Sequence, residues 1–207
     1  MSSLGSSGGL ATGLLAAALR KPPRRKCFIS YHHADEPEVA RFLATFDHSH
    51  DKFISRGIGA TMAGDIVASS NDDYVMSRIR ELYLSDSTVT ILMIGNCTWS
   101  RRYVDWELKA SLRSGEKATP NGLLGIVLPS FTSGQYPHRM NANLFDRTAG
   151  LLSPTDCYAR VVSYPTTTDQ LTSALEDAYQ ARTARTHLIR NARSRYMANI
   201  SCGHLWH

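Results

Sequence analysis

The 207-residue chain reads as an α/β protein built on a mostly parallel five-stranded sheet. Three observations carry that expectation. Short apolar runs, rich in β-branched or aromatic residues, recur at 27–31, 89–94, 123–128 and 158–163. They are too short for core helices, and the 89–94 run in particular has the composition of a strand buried on both faces. Between such runs lie amphipathic stretches, such as Val39, Phe42, Leu43 and Phe46 at helical spacing. Strands that alternate with helices pair in parallel, and right-handed crossovers then cover both faces of the sheet. The expected architecture is a flavodoxin-like three-layer sandwich followed by a basic C-terminal helix.

Taken in order, the first strand at 27–31 ends in His32, His33, Ala34 and Asp35, with Asp35 placed to cap a helix over 36–48. Lys52, Phe53, Ile54, Ser55 and Arg56 alternate weakly and form a short second strand. A glycine-bearing loop follows, and Ser69, Ser70 and Asn71 then introduce a helix over 72–84 with Val75, Ile79 and Leu82 inward. The run at 89–94 feeds a helix over 100–114, whose Val104, Leu108 and Leu112 recur every four residues. The strand at 123–128 closes at Pro129. Residues 129–156 show no periodicity and are expected as a long, specialised loop. A last strand at 158–163 precedes a helix from Asp169, with Leu171, Ala174, Leu175 and Ala178 facing the core.

Charge divides the chain into three. The net charge of +5 comes from the ends: 1–26 and 180–207 contain basic residues and no acid, so all 18 acidic side chains lie between them. The division expected is a flexible basic tail over 1–25, the domain over 26–180, and a basic helical extension and tail over 181–207. Basic ends suit nucleic acid, but a solvated helix face is the plainer reading, and no nucleic-acid partner is expected. Cys27, Cys97, Cys157 and Cys202 are scattered with no CxxC pair. They read as small hydrophobes in a reducing compartment, against both a disulfide framework and a zinc site. The apolar stretch at 10–19 is too short to span a membrane, and its basic cluster follows it, the wrong order for a secretory signal. A cytoplasmic protein with no membrane partner is expected.

Ligands of open parallel sheets bind beyond the carboxyl ends of the strands. Tyr31, His32, His33 and Asp35 end the first strand there, and 96–107 follow the third. Glu107 stands off the apolar stripe in the second turn of its helix, the best-placed carboxylate in the chain. Other chemistries find no support: GxSxG and Walker A motifs are absent, and Met62 interrupts the pattern begun by Gly57 and Gly59. His48, His50 and Asp51 suit a charged helix end better than a metal site, and no metal is expected. One carboxylate amid polar groups suits an oxocarbenium-like transition state, where fixed negative charge meets developing positive charge. Each residue also has a plainer reading: Glu107 as surface helix, His32 and His33 as loop histidines, Trp106 as core, Asp35 as a cap.

CFISYHHAD, DDYVMSRIRELYLSDS, TVTILMIG and SRRYVDWEL resemble the TIR superfamily, and more narrowly the TIR-like domains of bacterial Thoeris antiphage defence systems. The resemblance covers about residues 26–165, and the SRRYVDWEL segment is its most specific part. It implies that Glu107, four positions after Tyr103, is the catalytic glutamate that cleaves NAD+ at the nicotinamide–ribose bond. The ADP-ribosyl unit would become a signal molecule, cyclic or conjugated, that activates a separate effector. NAD+ is then a substrate, and no cofactor is implied. Tyr31, His32, His33, Trp99, Arg102 and Tyr103 are the residues expected to contact substrate, Trp99 by stacking and Arg102 by phosphate charge. The chain departs from animal-type TIR domains in lacking a proline-bearing loop signature after the second strand, and in carrying Tyr103-Val104 where Trp-Cys is common. A non-catalytic TIR adaptor acting by assembly is the competing reading, and a phage-derived trigger and homo-oligomerisation stay open.

Overall fold

A computed structural model of the chain describes residues 25–46, 64–115, 118–132, 134–144 and 157–203. Four strands form one parallel sheet in the order β1 (Cys27–Ser30), β2 (Val89–Ile94), β3 (Gly122–Val127) and β4 (Arg160–Ser163). The second strand expected at 52–56 and the histidines at 48 and 50 lie outside the described residues, so the described sheet has four strands where five were expected. The helices are α1 (Glu36–Phe46), α2 (Gly64–Ala68), α3 (Asp72–Ile79), α4 (Arg102–Ser111), α5 (His138–Leu144) and α6 (Thr168–Ala184).

Alternation along β2 explains the layers. Val89, Ile91 and Met93 point to one face, where Val39, Phe42 and Phe46 of α1 and Leu171, Leu175 and Ala178 of α6 cover them. Leu92 and Ile94 point to the other, under Val104 and Leu108 of α4 and Met140 of α5. Phe28 of β1 faces the same way and packs with Ile66, Val75, Ile79 and Trp106. Every residue of β2 is buried, as its uninterrupted apolar run requires. The inward Thr90 is satisfied by the Ser111 hydroxyl at 2.7 Å and by the Asn121 amide at 3.2 Å. Gly122 lets α6 approach β3, since a Cβ there would run into the Ala178 backbone.

Local chemistry sets most boundaries where the sequence places them. Asn71 caps α3 by accepting from Tyr74 N–H, and Thr167 caps α6 by accepting from Gln170 N–H. The helix expected to 84 leaves α geometry after Ile79 and finishes as a π turn over Arg80–Leu84. Three expectations are corrected. The long loop over 129–156 contains α5, whose sequence has no apolar stripe because its buried Arg139 and Asn143 are polar. The expected basic C-terminal helix stops with α6 at Ala184; a 3-10 turn at Thr186–Leu188 follows and then a segment without regular structure. That segment is bonded back onto α4 and the loop before it as far as Cys202. Arg25, assigned to the basic tail, forks onto Glu176 of α6 at 2.7–3.1 Å and lies over the Tyr179 ring. No helix among the described residues is long and apolar enough to cross a membrane.

Candidate active site

Helix α4 begins at the carboxyl end of the central strand β2, after a polar turn at 95–97 and a 3-10 turn at Thr98–Ser100. It therefore runs back along the sheet. Val104 and Leu108 face β2, Trp106 and Ala110 face the cluster around Phe28, and Glu107 lies between the two sets. Ser30 is on the Phe28 face of β1, two residues on, which brings its hydroxyl to the Glu107 carboxyl.

Glu107 is only 1% exposed. Burial pushes its pKa from the usual 4.5 up to about 8, offset in part by the Ser30 hydroxyl. Among the described residues, Oε2 has no hydrogen-bond partner. The Ser30 hydroxyl acts on the carboxyl but also lacks a partner of good hydrogen-bond geometry, so the pair is close and not locked. An unsatisfied carboxyl this deeply buried is costly, and stability alone gives no reason to keep it. The Tyr31 phenol is raised by burial, then by the charges of Glu36 and Glu107, which places it within electrostatic reach of the carboxyl.

The remaining expected residues divide. His32 is buried, and its ring meets the exposed His33 edge-on at 4.4 Å. Trp99 is half-buried in the turn before α4. Tyr103 is half-buried, edge-on to Trp106 at 5.7 Å, and its hydroxyl accepts from Arg102 at 2.8 Å. Arg102 also donates to the Met197 carbonyl at 3.4 Å and stacks over Tyr103, so its guanidinium is committed to the C-terminal segment. Trp106 is core, as its face of the helix requires, with its indole N–H donated to the Tyr196 carbonyl at 2.6 Å.

Asp35, expected as a helix cap, lies inside the 3-10 turn His33–Asp35, and its carboxylate is turned to the loop after β2. Its carboxylate accepts from the Thr98 hydroxyl at 3.1 Å, and that hydroxyl accepts from Gly95 N–H at 2.8 Å. The bonds tie the end of β1 to the loop after β2. Burial raises the Asp35 pKa to about 6, against the Thr98 bond, while Arg101 lies within electrostatic reach. Two further participants escaped the sequence reading. Ser30 was legible in principle, from its alternation with Phe28; the Thr98–Asp35 link joins residues 63 apart and had no local signal. A cleft of about 790 Å³ lies elsewhere, between β4 and α6, lined by Arg160, Tyr164, Thr166, Gln170 and Asp177. It is not the Glu107 site.

The disulfide reading is also corrected. Cys97 in the loop after β2 is bonded to Cys202 near the end of the chain, 105 residues away. The scattered spacing hid the pair because the chain returns to α4 only through its last segment. Cys27 and Cys157 are free, as expected.

A parallel α/β sandwich with helices on its faces is consistent with the TIR-like class of fold. Residues 28–133 match the family of the Thoeris protein ThsB, TIR-like domain, and the chain belongs to that family. It is thus a TIR-like protein of Thoeris antiphage defence. No curated protein matches the sequence.

Proposed function

We propose that the chain consumes NAD+, breaking the nicotinamide–ribose bond and passing the ADP-ribosyl unit to an acceptor to make a cyclic or conjugated signal for a separate effector. The observation that carries this reading is Glu107: a buried carboxyl, with no hydrogen-bond partner for Oε2 among the described residues, on the helix that leaves the carboxyl end of the central strand. In the bond-breaking step the C1′–N electron pair leaves with nicotinamide, whose ring becomes neutral, and positive charge moves onto the ribosyl C1′ and ring oxygen. A fixed carboxylate in a dry site stabilises that charge strongly, because little water screens it. Attack by an acceptor hydroxyl or ring nitrogen then forms the new bond to C1′. Where the attacking atom carries a proton, Glu107 takes it up, which suits a carboxyl whose pKa stands near 8.

The same burial bears on regulation. At neutral pH the resting carboxyl is mainly protonated, and with 1% exposure a substrate reaches it only after the surroundings open. A trigger that opens the site and brings in cationic nicotinamide would ionise Glu107 at the moment it is needed. Tyr31 and Tyr103 would flank the ribose, with Trp99 and the two histidines at the rim. The test is nucleotide mass spectrometry of phage-infected cells carrying wild type or Glu107→Gln. NAD+ loss and a new ADP-ribosyl product in wild type alone are expected. Equal NAD+ loss with Glu107→Gln overturns the catalytic role, and no loss in either favours assembly without catalysis.

A further inference from the structure

The C-terminal segment bonds along the length of α4, and its two halves are held differently. The first half, 191–196, is anchored through the core. Arg139, 1% exposed, donates to the carbonyls of Arg193 at 2.7 Å and Ser194 at 2.9 Å. Tyr196 N–H reaches buried Asp105 at 2.8 Å, Trp106 holds the Tyr196 carbonyl, and Arg195 binds Asp72 at 2.6 Å. The second half, 197–203, has no such anchor. Asn199 accepts from Arg102 N–H at 3.0 Å, Ile200 N–H reaches the Ser100 carbonyl at 2.9 Å, and Met197 and Ile200 are 68% and 40% exposed. Its one strong tie is the Cys97–Cys202 disulfide, and Cys97 lies in the loop that leads from β2 into α4.

We propose that this disulfide is a redox-released latch: when it is intact, residues 197–203 are clamped over the 97–102 turn at the mouth of the sheet, and a dithiol reductant frees them. Cys97 is buried and Cys202 half-buried, so the attack falls on Cys202. A reductant thiolate bonds to Cys202 Sγ, the S–S bond breaks, and Cys97 leaves as a thiolate that takes a proton. The reductant's second thiolate then attacks its own sulfur in the mixed disulfide and expels the Cys202 thiolate, leaving an oxidised reductant and two protein thiols. Arg101 Nη2, 3.9 Å from Cys202 Sγ, favours that departing thiolate. Release uncovers the turn that holds Trp99 and Arg101 and the backbone N–H of Arg102. The first half stays in place, because none of its bonds involves sulfur.

The latch goes beyond the NAD+ reading and is tested apart from it. The full chain is equilibrated with oxidised or reduced dithiothreitol. Alkylation in denaturant then counts thiols, and hydrogen exchange follows 191–196 and 197–203 separately. Two alkylated cysteines are expected after oxidation and four after reduction. Exchange in 197–203 should rise at least tenfold on reduction, with 191–196 changed less than threefold. Cys202→Ser should show three alkylated cysteines and the fast exchange of 197–203 under both conditions. Four free thiols after oxidation, or exchange in 197–203 that ignores redox state, overturns the latch. The latch is read from thiols and exchange alone, so redox-responsive exchange leaves it standing whatever nicotinamide release the samples show, and the NAD+ proposal fails separately, in the infected-cell comparison.

Discussion

Arg139 Nε lies 2.8 Å from Asp105 Oδ1, an ion pair sealed from water with side-chain exposures of 1% and 4%. It joins α5, which had no sequence signal, to the helix that carries Glu107. The rest of the guanidinium binds the Asn191, Arg193 and Ser194 carbonyls, so one side chain fastens α4, α5 and the C-terminal segment together.

Removing one partner strands a buried charge and several carbonyls, and losses of this kind are typically about 3–5 kcal/mol. Arg139→Met is expected to lose roughly that much in urea unfolding, with rapid exchange in 191–196. The double variant Arg139→Met, Asp105→Leu removes both charges and should recover part of the loss. A single variant within about 1 kcal/mol of wild type would show that the pair does not hold the segment.

The loop after β2 makes a sharper steric claim. A Cβ on Gly95 would fall onto the Asp35 carboxylate, whereas one on Gly64 would meet nothing within 4 Å. Gly95→Ala must displace Asp35 and its Thr98 bond, and a loss of about 2 kcal/mol or more is expected. Gly64→Ala, at the start of α2, should range from neutral to about 1 kcal/mol stabilising. Thermal melts of the two variants beside wild type settle the ordering.

What the sequence disclosed follows the range of each interaction. β2, α4 and α6 were legible because period 2 or 3.6 reports burial within a few residues, as in Val104, Leu108 and Leu112. Glu107 was legible as a position, since the fold rule puts ligands at that edge. Its isolation was not, because the lack of a partner for Oε2 depends on what β1 brings opposite it. α5 and the segment after 188 left no periodic trace. Their order rests on Arg139, on Asn143 bonding both Arg190 backbone groups at 2.9 Å, and on Cys97. The C-terminal arginines looked like a solvated basic face, yet Arg182, Arg185 and Arg195 are spent on Pro120, Asp177 and Asp72.

Burial of Glu107 has a stability consequence with a definite sign. Its folded pKa of about 8 exceeds the ordinary 4.5, so the folded chain holds a proton that the unfolded chain has released. That contribution is complete below pH 4.5 and is lost as pH rises through 8. The span corresponds to a few kcal/mol, at most about 5. Glu107→Gln cannot ionise, so it should be more stable than wild type at pH 8.5, and the gap should narrow towards pH 5. Asp35, raised to about 6, should leave a shallower slope of the same sign in the variant. Denaturation midpoints against pH, wild type beside variant, measure the difference; parallel curves would place an ordinary carboxylate at 107.

The same protonation should govern turnover. Stabilising a cationic ribosyl centre requires the carboxylate, and kcat/KM reports the free enzyme's ionisation. Where opening accompanies substrate binding, so that the free enzyme keeps Glu107 buried, kcat/KM for NAD+ should rise about tenfold per pH unit below the Glu107 pKa of about 8 and level off above it. The limb for kcat should lie lower. On the proposed reading, bound NAD+ would place the positive nicotinamide ring beside Glu107, and an adjacent cation favours the charged acid. Asp35 can be told apart, since a limb it set would fall near 6 and would survive in Glu107→Asp. Nicotinamide release measured from pH 5.5 to 9.5 resolves the limbs. A profile flat from 6 to 9 removes Glu107 ionisation from the rate-determining chemistry, because a group with pKa near 8 changes charge across that interval.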